Sequence, residues 1–198
     1  MKKIFVMAAA AIMAVTSVQA QDEPKQEIAI SYGVGSNSDI IDAFEDFGTA
    51  MVGASFDNES YFGPISLEYF YHVKPWLGVG AIAVYGQMSQ DLYLSGKKNG
   101  KDGKIKNNYV TLMPAVKFDW LRKDHFGMYS KLAFGATLRN EKVDYDSNIH
   151  EDFDDSEVHI NWQATLLGLE AGGQQLRGFF EIGTGEQGIF LLGLRYKF

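Results

Sequence analysis

The sequence predicts an all-β protein, an eight-stranded antiparallel up-and-down transmembrane β-barrel, and three observations lead there. The 198 residues hold 21 Gly, 14 Phe and 10 Tyr but only 4 Pro; Gly is poor inside helices, whereas aromatic residues favour strands. Segment after segment alternates apolar and polar side chains with period two. After residue 20 no apolar run approaches the length of about 18 residues that a membrane-crossing helix needs, so a membrane fold would have to be a closed barrel. With 46% hydrophobic and 22% charged residues the chain is not disordered. Zero Cys excludes a disulfide scaffold, a thiolate metal site, a Cys nucleophile and a lipid-modified N-terminal Cys.

Residues 1–20 read as a secretory signal peptide. Lys2 and Lys3 precede an apolar stretch from Ile4 to Val15, and Val18-Gln19-Ala20 ends on a small residue, the three-part pattern of such segments. Cleavage is expected between Ala20 and Gln21, leaving residues 21–198 as one barrel domain. The chain carries a formal net charge of −7 and loses two cations with the peptide, which speaks against a nucleic-acid partner.

The strands follow in order. In the first, Ile28, Ile30, Tyr32 and Val34 alternate with Ala29, Ser31, Gly33 and Gly35. In the second, Ile65, Leu67, Tyr69, Tyr71 and Val73 alternate with Ser66, Glu68, Phe70 and His72. The third, from Leu77 to Gln87, mixes Ala, Val and Ile on both faces. The fourth sets Val110, Leu112, Val116, Phe118 and Trp120 against Thr111, Ala115, Lys117 and Asp119. A fifth sets Met128, Leu132, Phe134, Ala136 and Leu138 against Lys131, Ala133, Gly135 and Thr137. In the sixth, Val158, Ile160, Trp162, Ala164 and Leu166 oppose His159, Asn161, Gln163 and Thr165. The seventh, Phe179 to Thr184, is short. The eighth is the clearest: Phe190, Leu192, Leu194, Tyr196 and Phe198 form an unbroken apolar face opposite Leu191, Gly193, Arg195 and Lys197.

The connections alternate in length. Ser36–Tyr61, Met88–Lys106 and Asn140–Glu157 are long, whereas Lys74-Pro75, Leu121–His125 and Ala171–Arg177 are short. Outer-membrane barrels place short turns on the periplasmic side and longer loops outside. Gly185–Gly188 departs from this by being a brief external connection. Pro114 stands within the fourth strand, where a closed barrel has no free edge to excuse a missing N–H, and a bulge or strand shift is expected there.

The tail Tyr196-Lys197-Phe198, a terminal aromatic closing an alternating strand, resembles the signal that bacterial barrels present to the outer-membrane assembly machinery. From Ile28 to Phe198 the chain is similar to the small eight-stranded barrels of the OmpA, OmpX and OmpW type, the outer membrane protein β-barrel domain group. The resemblance implies a bacterial outer-membrane location, with membrane lipid and lipopolysaccharide as neighbours and the assembly machinery as a partner reading Tyr196 and Phe198. Functions within that group are diverse.

A barrel of about eight strands has an interior just wide enough for side chains. Glu68, Lys117, Asp119, Lys131, Glu181, Arg195 and Lys197 are expected to point inward. Their mixed signs suit a paired, largely plugged network, because unpaired buried ions cost several kcal/mol. Tyr69, Tyr71, Tyr85, Trp120, Trp162, Tyr196 and Phe198 are expected at the membrane boundaries.

The loops offer three weaker signals. Oxygen-bearing side chains between Asp144 and Asp155 fall at calcium-loop spacing, yet Ile149 stands where the turn needs Gly and Asp155 replaces a bidentate Glu; a solvated acidic loop accounts for them. Lys97, Lys98, Lys101, Lys104 and Lys106 among glycines form a basic, solvated tip. Ile40, Ile41, Phe44 and Phe47 have helical spacing after Ser38. His150 and His159 lie near acids and near Ser147 and Ser156, but nothing in the sequence orients a triad. The expected role is therefore non-enzymatic, structural or surface-interacting through extracellular loops, with no cofactor, metal or catalytic residue. A narrow channel or carrier for small solutes and a lipid-modifying enzyme are the alternatives.

Overall fold

A computed structural model of the chain describes residues 24–36, 55–93, 103–145 and 153–198. They form eight strands: β1 (Gln26–Val34), β2 (Ser55–Lys74), β3 (Leu77–Tyr93), β4 (Gly103–Arg122), β5 (Phe126–Tyr145), β6 (Phe153–Gly172), β7 (Leu176–Gly185) and β8 (Phe190–Lys197). Each pairs antiparallel with the next, and β8 returns to β1, closing the barrel. Reciprocal backbone bonds of 2.9 Å between Gln26 and Phe198 fasten the seam where β1 begins, just beyond the end of β8. Closure gives every strand two neighbours, which lipid demands because it offers backbone N–H and C=O groups no partner.

The period-two alternation becomes an outside and an inside. Leu112, Phe134, Ile160, Leu166 and Leu192, from four strands, are each more than 60% exposed on the outer face, while the residues between them turn inward. No second layer of described residues covers this surface, which far exceeds the apolar patch of a soluble monomer. On β5 the outer face is predominantly apolar from Phe126 to Leu138 and polar at Asn140 and Lys142, a band slightly longer than the roughly 9–11 residues that carry a tilted strand through hydrocarbon. Aromatic side chains mark its edges. Tyr71, Trp76, Trp120, Phe126, Tyr196 and Phe198 ring the end with short turns, and Tyr32, Phe62, Tyr85 and Trp162 lie toward the other. Tyr69, also expected at a boundary, is on the outer face and donates a 2.9 Å hydrogen bond to Gln26.

β2 to β6 run for 17 to 20 residues, beyond the band, whereas β1, β7 and β8 have 9, 10 and 8. The three connections expected to be long are therefore shorter, because strand pairing continues into them: Lys106 opposes Lys142 and Glu141 opposes Asp155. Their alternation fades for a physical reason. Outside hydrocarbon both faces tolerate polar side chains, so the ladder persists without the pattern that reveals it. The short turns behave as expected, with Pro75-Trp76 joining β2 to β3.

Pro114 produces no bulge, contrary to the sequence expectation. It faces outward opposite Ala81, and the β4–β5 register runs from Leu112↔Ala136 to Ala115↔Ala133 without a shift. Gly135 makes this fit. A Cβ there would sit 2.1 Å from the Leu112 carbonyl oxygen and 2.7 Å from Met113 Cα, so the two backbones approach closely beside the proline. Bulges occur elsewhere. β6 carries one extra residue between Thr165 and Gly168 relative to β5, and the same shift appears against β7. Past it the inward parity flips from odd to even, turning Gly168 and Glu170 into the barrel.

If lipid is the solvent of the outer face, Leu192→Arg should cost about 2–4 kcal/mol of membrane stability and abolish the heat-modifiable electrophoretic band. Lys142→Ala, beyond the band, should leave that band unchanged.

Candidate functional site

The interior is divided. Phe70, Ile82, Val84, Met113, Ala115 and Ala133 form an apolar cluster on the β2–β5 wall. Facing it, the β6–β1 wall and the ends of β4 and β5 carry charge. Among the described residues the buried ions are six carboxylates (Glu27, Glu68, Asp119, Glu170, Glu181, Glu186) and six cations (Lys117, Lys131, Arg139, Arg177, Arg195, Lys197). Equal numbers permit every charge a counterpart, the condition for burying them.

Arg195, fully buried on β8, is the hub. Nη1 donates to Glu170 Oε2 at 2.7 Å and Nη2 to Glu68 Oε2 at 3.4 Å, while Nε lies 3.5 Å from Glu27 and Nη2 3.8 Å from Glu181. Its guanidinium carbon lies 4.5 Å from the ring centroid of Tyr129 and 4.6 Å from that of Phe179, two cation–π contacts that its flat, delocalised charge makes at once. Glycines make room for both rings. A Cβ on Gly168 would fall 2.4 Å from Tyr129, and one on Gly193 would fall 2.5 Å from Phe179.

The carboxylates are held by further partners. Lys131 Nζ donates to Glu68 at 2.5 Å and to Glu181 at 3.0 Å. Glu181 also accepts from Tyr129 at 2.6 Å and from Thr165 at 2.7 Å. Lys117 Nζ donates to Glu27 at 2.6 Å and lies 3.4 Å from Asp119, which His72 Nε2 meets at 2.8 Å. Glu170 accepts from Arg177 at 2.7 Å and from Lys197. Arg177 in turn donates to the carbonyls of Lys123, Asp124 and Gly173, tying two of the short turns together.

Toward the other end the β7–β8 connection folds inward. Gln187 is fully buried and its side chain donates to Glu68 at 2.7 Å, while its N–H donates to Gln163 at 2.8 Å. Glu186 accepts from Thr111 at 3.1 Å and Asn161 at 2.8 Å. Gly33 permits this entry, since a Cβ there would lie 1.8 Å from the Gln187 carbonyl oxygen.

The seven charged side chains expected inside, Glu68, Lys117, Asp119, Lys131, Glu181, Arg195 and Lys197, are all buried in this one network. Sequence reasoning missed Glu27, although extending the odd face of β1 by one step from Ala29 would have found it. Tyr129 follows the same parity from Lys131. Glu170 and Gly168 lie beyond the β6 bulge, and Glu186 and Gln187 lie in a connection without periodicity. Tyr196 and Phe198 stack on the outer face with ring centroids 5.9 Å apart. Of the weaker candidates, His159 faces Glu157 at 3.1 Å, and Lys104 and Lys106 lie in β4. His150, Ser147, Lys97, Lys98, Lys101, the acidic stretch 146–152, the segment 38–47 and the signal peptide lie outside the described residues.

No family model and no curated protein matches the chain. Among solved structures it is similar to Ail, the attachment invasion locus protein of Yersinia pestis, crystallised with the heparin analogue sucrose octasulfate: 14% identity, TM-score 0.47, with 89% of this chain and 100% of that one covered. It is also similar to the outer membrane protein OprG of Pseudomonas aeruginosa: 13% identity, TM-score 0.45, with 91% and 99% covered. The fold stands on the strand pairing of the chain itself.

Arg195→Ala removes the cation that four buried carboxylates share and should lower stability by about 3–5 kcal/mol, read from the urea midpoint of the heat-modifiable band. Arg195→Lys should fall between the two, because an ammonium neither forks nor stacks.

Proposed function

We propose that the chain is a bacterial outer-membrane barrel with a closed interior. It acts without catalysing a reaction, as a structural or surface-interaction protein presenting the parts of β2–β6 beyond the apolar band. One observation carries this reading: the Arg195 network, joined by the inturned Gln187, crosses the lumen with its ions paired to one another. A conduit needs ions that stay hydrated, whereas Glu68, Lys131, Glu181 and Arg195 are fully buried and bound to each other. A solute entering would have to separate such pairs at several kcal/mol per ion.

The remaining parts fit the same role. The apolar band places the protein in lipid, and the cleavable N-terminus with the terminal aromatic pair Tyr196 and Phe198 suits export and delivery to the assembly machinery. Lipopolysaccharide would then surround the upper band. A rigid interior holds the tall strands β2–β6 at fixed spacing, so a partner meets that wall already formed.

Purified protein in planar lipid bilayers should be electrically silent. Reproducible unitary currents would overturn the closed interior and favour a narrow conduit for small solutes. Lipid A mass should be the same with and without expression of the chain; a change lost on His159→Ala would establish an enzyme instead.

A further inference from the structure

At the end of the barrel with the short turns, Lys25, Lys74 and Arg122 gather beside His72. A cavity of about 250 Å³ opens there, lined by Pro24, Lys25, His72, Lys74, Pro75 and Arg122 among others, with no carboxylate among the described residues of its lining. That volume is roughly eight times a water molecule's share of the liquid, enough for a tetrahedral oxyanion with part of its hydration. The walls are built rather than incidental. The His72 N–H donates to the Lys25 carbonyl at 2.7 Å. Arg122 donates to the Pro75 carbonyl at 3.2 Å and to the Pro24 carbonyl, pinning the residues just before β1 across the β2–β3 turn.

Those contacts leave positive charge in place. Arg122 spends its donors on neutral carbonyls, and Lys74 lies over the Trp76 ring at 5.5 Å; neither meets a carboxylate among the described residues. His72 is buried, with Nε2 held by Asp119 and Nδ1 lacking a hydrogen-bond partner among the described residues. The acids behind it, Asp119 and Glu27, are already engaged by Lys117. Trp76 and Trp120, 50% and 58% exposed, mark this level as the headgroup boundary, where such rings settle.

From this cavity we infer an anion site made by Lys25, His72, Lys74 and Arg122 that takes a phosphate group, from an anionic phospholipid headgroup or from free phosphate. Lysine ammonium groups and a partly free guanidinium are the donors that recognise phosphate oxygens. At the headgroup level a phosphodiester can enter from the bilayer while its acyl chains lie along the outer face by Val73 and Trp120. The site is independent of whether the interior conducts.

The mature protein, folded in neutral-lipid nanodiscs, tests this with two probes: inorganic phosphate, and short-chain phosphatidylglycerol set against phosphatidylcholine. Retention is read by native mass spectrometry and phosphorus NMR. Phosphatidylglycerol should bind saturably, in preference to phosphatidylcholine, and more weakly as salt rises. The double variant Lys25→Gln, Lys74→Gln should weaken it about tenfold, and Lys142→Gln at the far end should not. Competition by inorganic phosphate assigns a soluble source as well, and its absence assigns the lipid. Two results would overturn the site. One is no saturable binding, or equal binding by the double variant with its heat-modifiable band intact. The other is binding that emerges only in Asp22→Asn, Glu23→Gln, which would mean that the chain's own carboxylates occupy the cavity.

Discussion

A guanidinium sealed away from water governs the interior of this barrel. Arg195 can stay charged at full burial only because carboxylates from four different strands converge on it: Glu27 of β1, Glu68 of β2, Glu170 of β6 and Glu181 of β7. Each of those needs more than Arg195 to neutralise it, and so draws in Lys117, Lys131, Arg177 or Lys197. The network thereby links strands distant in sequence and spans the lumen. The flat faces of the guanidinium require rings, the rings require space, and Gly168 and Gly193 supply it. Part of the high glycine content thus follows from one buried cation, and glycine's usual part in turns explains only the remainder.

The apolar cluster on the opposite wall shows how eight strands manage a small interior. Charged groups are gathered where they can reach each other, and Phe70, Ile82, Val84 and Met113 fill the rest without needing partners. β3 belongs wholly to that wall within the band, so it is apolar toward lipid and toward the lumen alike. Its poor alternation is the trace of two hydrophobic environments, one on each side. The barrel therefore combines a conventional packed core with an ionic one, and the two meet along β2, β4 and β5.

How far the sequence disclosed this varies with the environment of each residue. Where one side of a strand met lipid and the other met polar groups, period two was legible, as along β8, and the inward charges could be read by counting. The count failed where geometry changes parity: the β6 bulge concealed Glu170, which bonds to Arg195, Arg177 and Lys197. It failed again beyond the bilayer, where water on both faces erases the pattern and the upper halves of β2 to β6 looked like loops. Pro114 misled in the opposite sense. Its missing N–H suggested a break, but Gly135 lets the neighbouring backbone close in, a relation between strands that no local signal contains. Gln187 illustrates a last kind of opacity, since only the three-dimensional meeting of Gly33 with the β7–β8 connection explains why that segment turns inward.

The unequal strand lengths make the described rim a slope. Five neighbouring strands rise past the membrane while three stop near its surface, so the described strands stand tall on one side of the barrel and low on the other. Rotation about the membrane normal therefore changes what an approaching body encounters. Among the described residues one bearing presents a standing sheet, and the opposite bearing presents strand ends level with the lipid. A nominally cylindrical protein thus acquires a heading within the plane of its membrane, and neighbours packed around it are not equivalent.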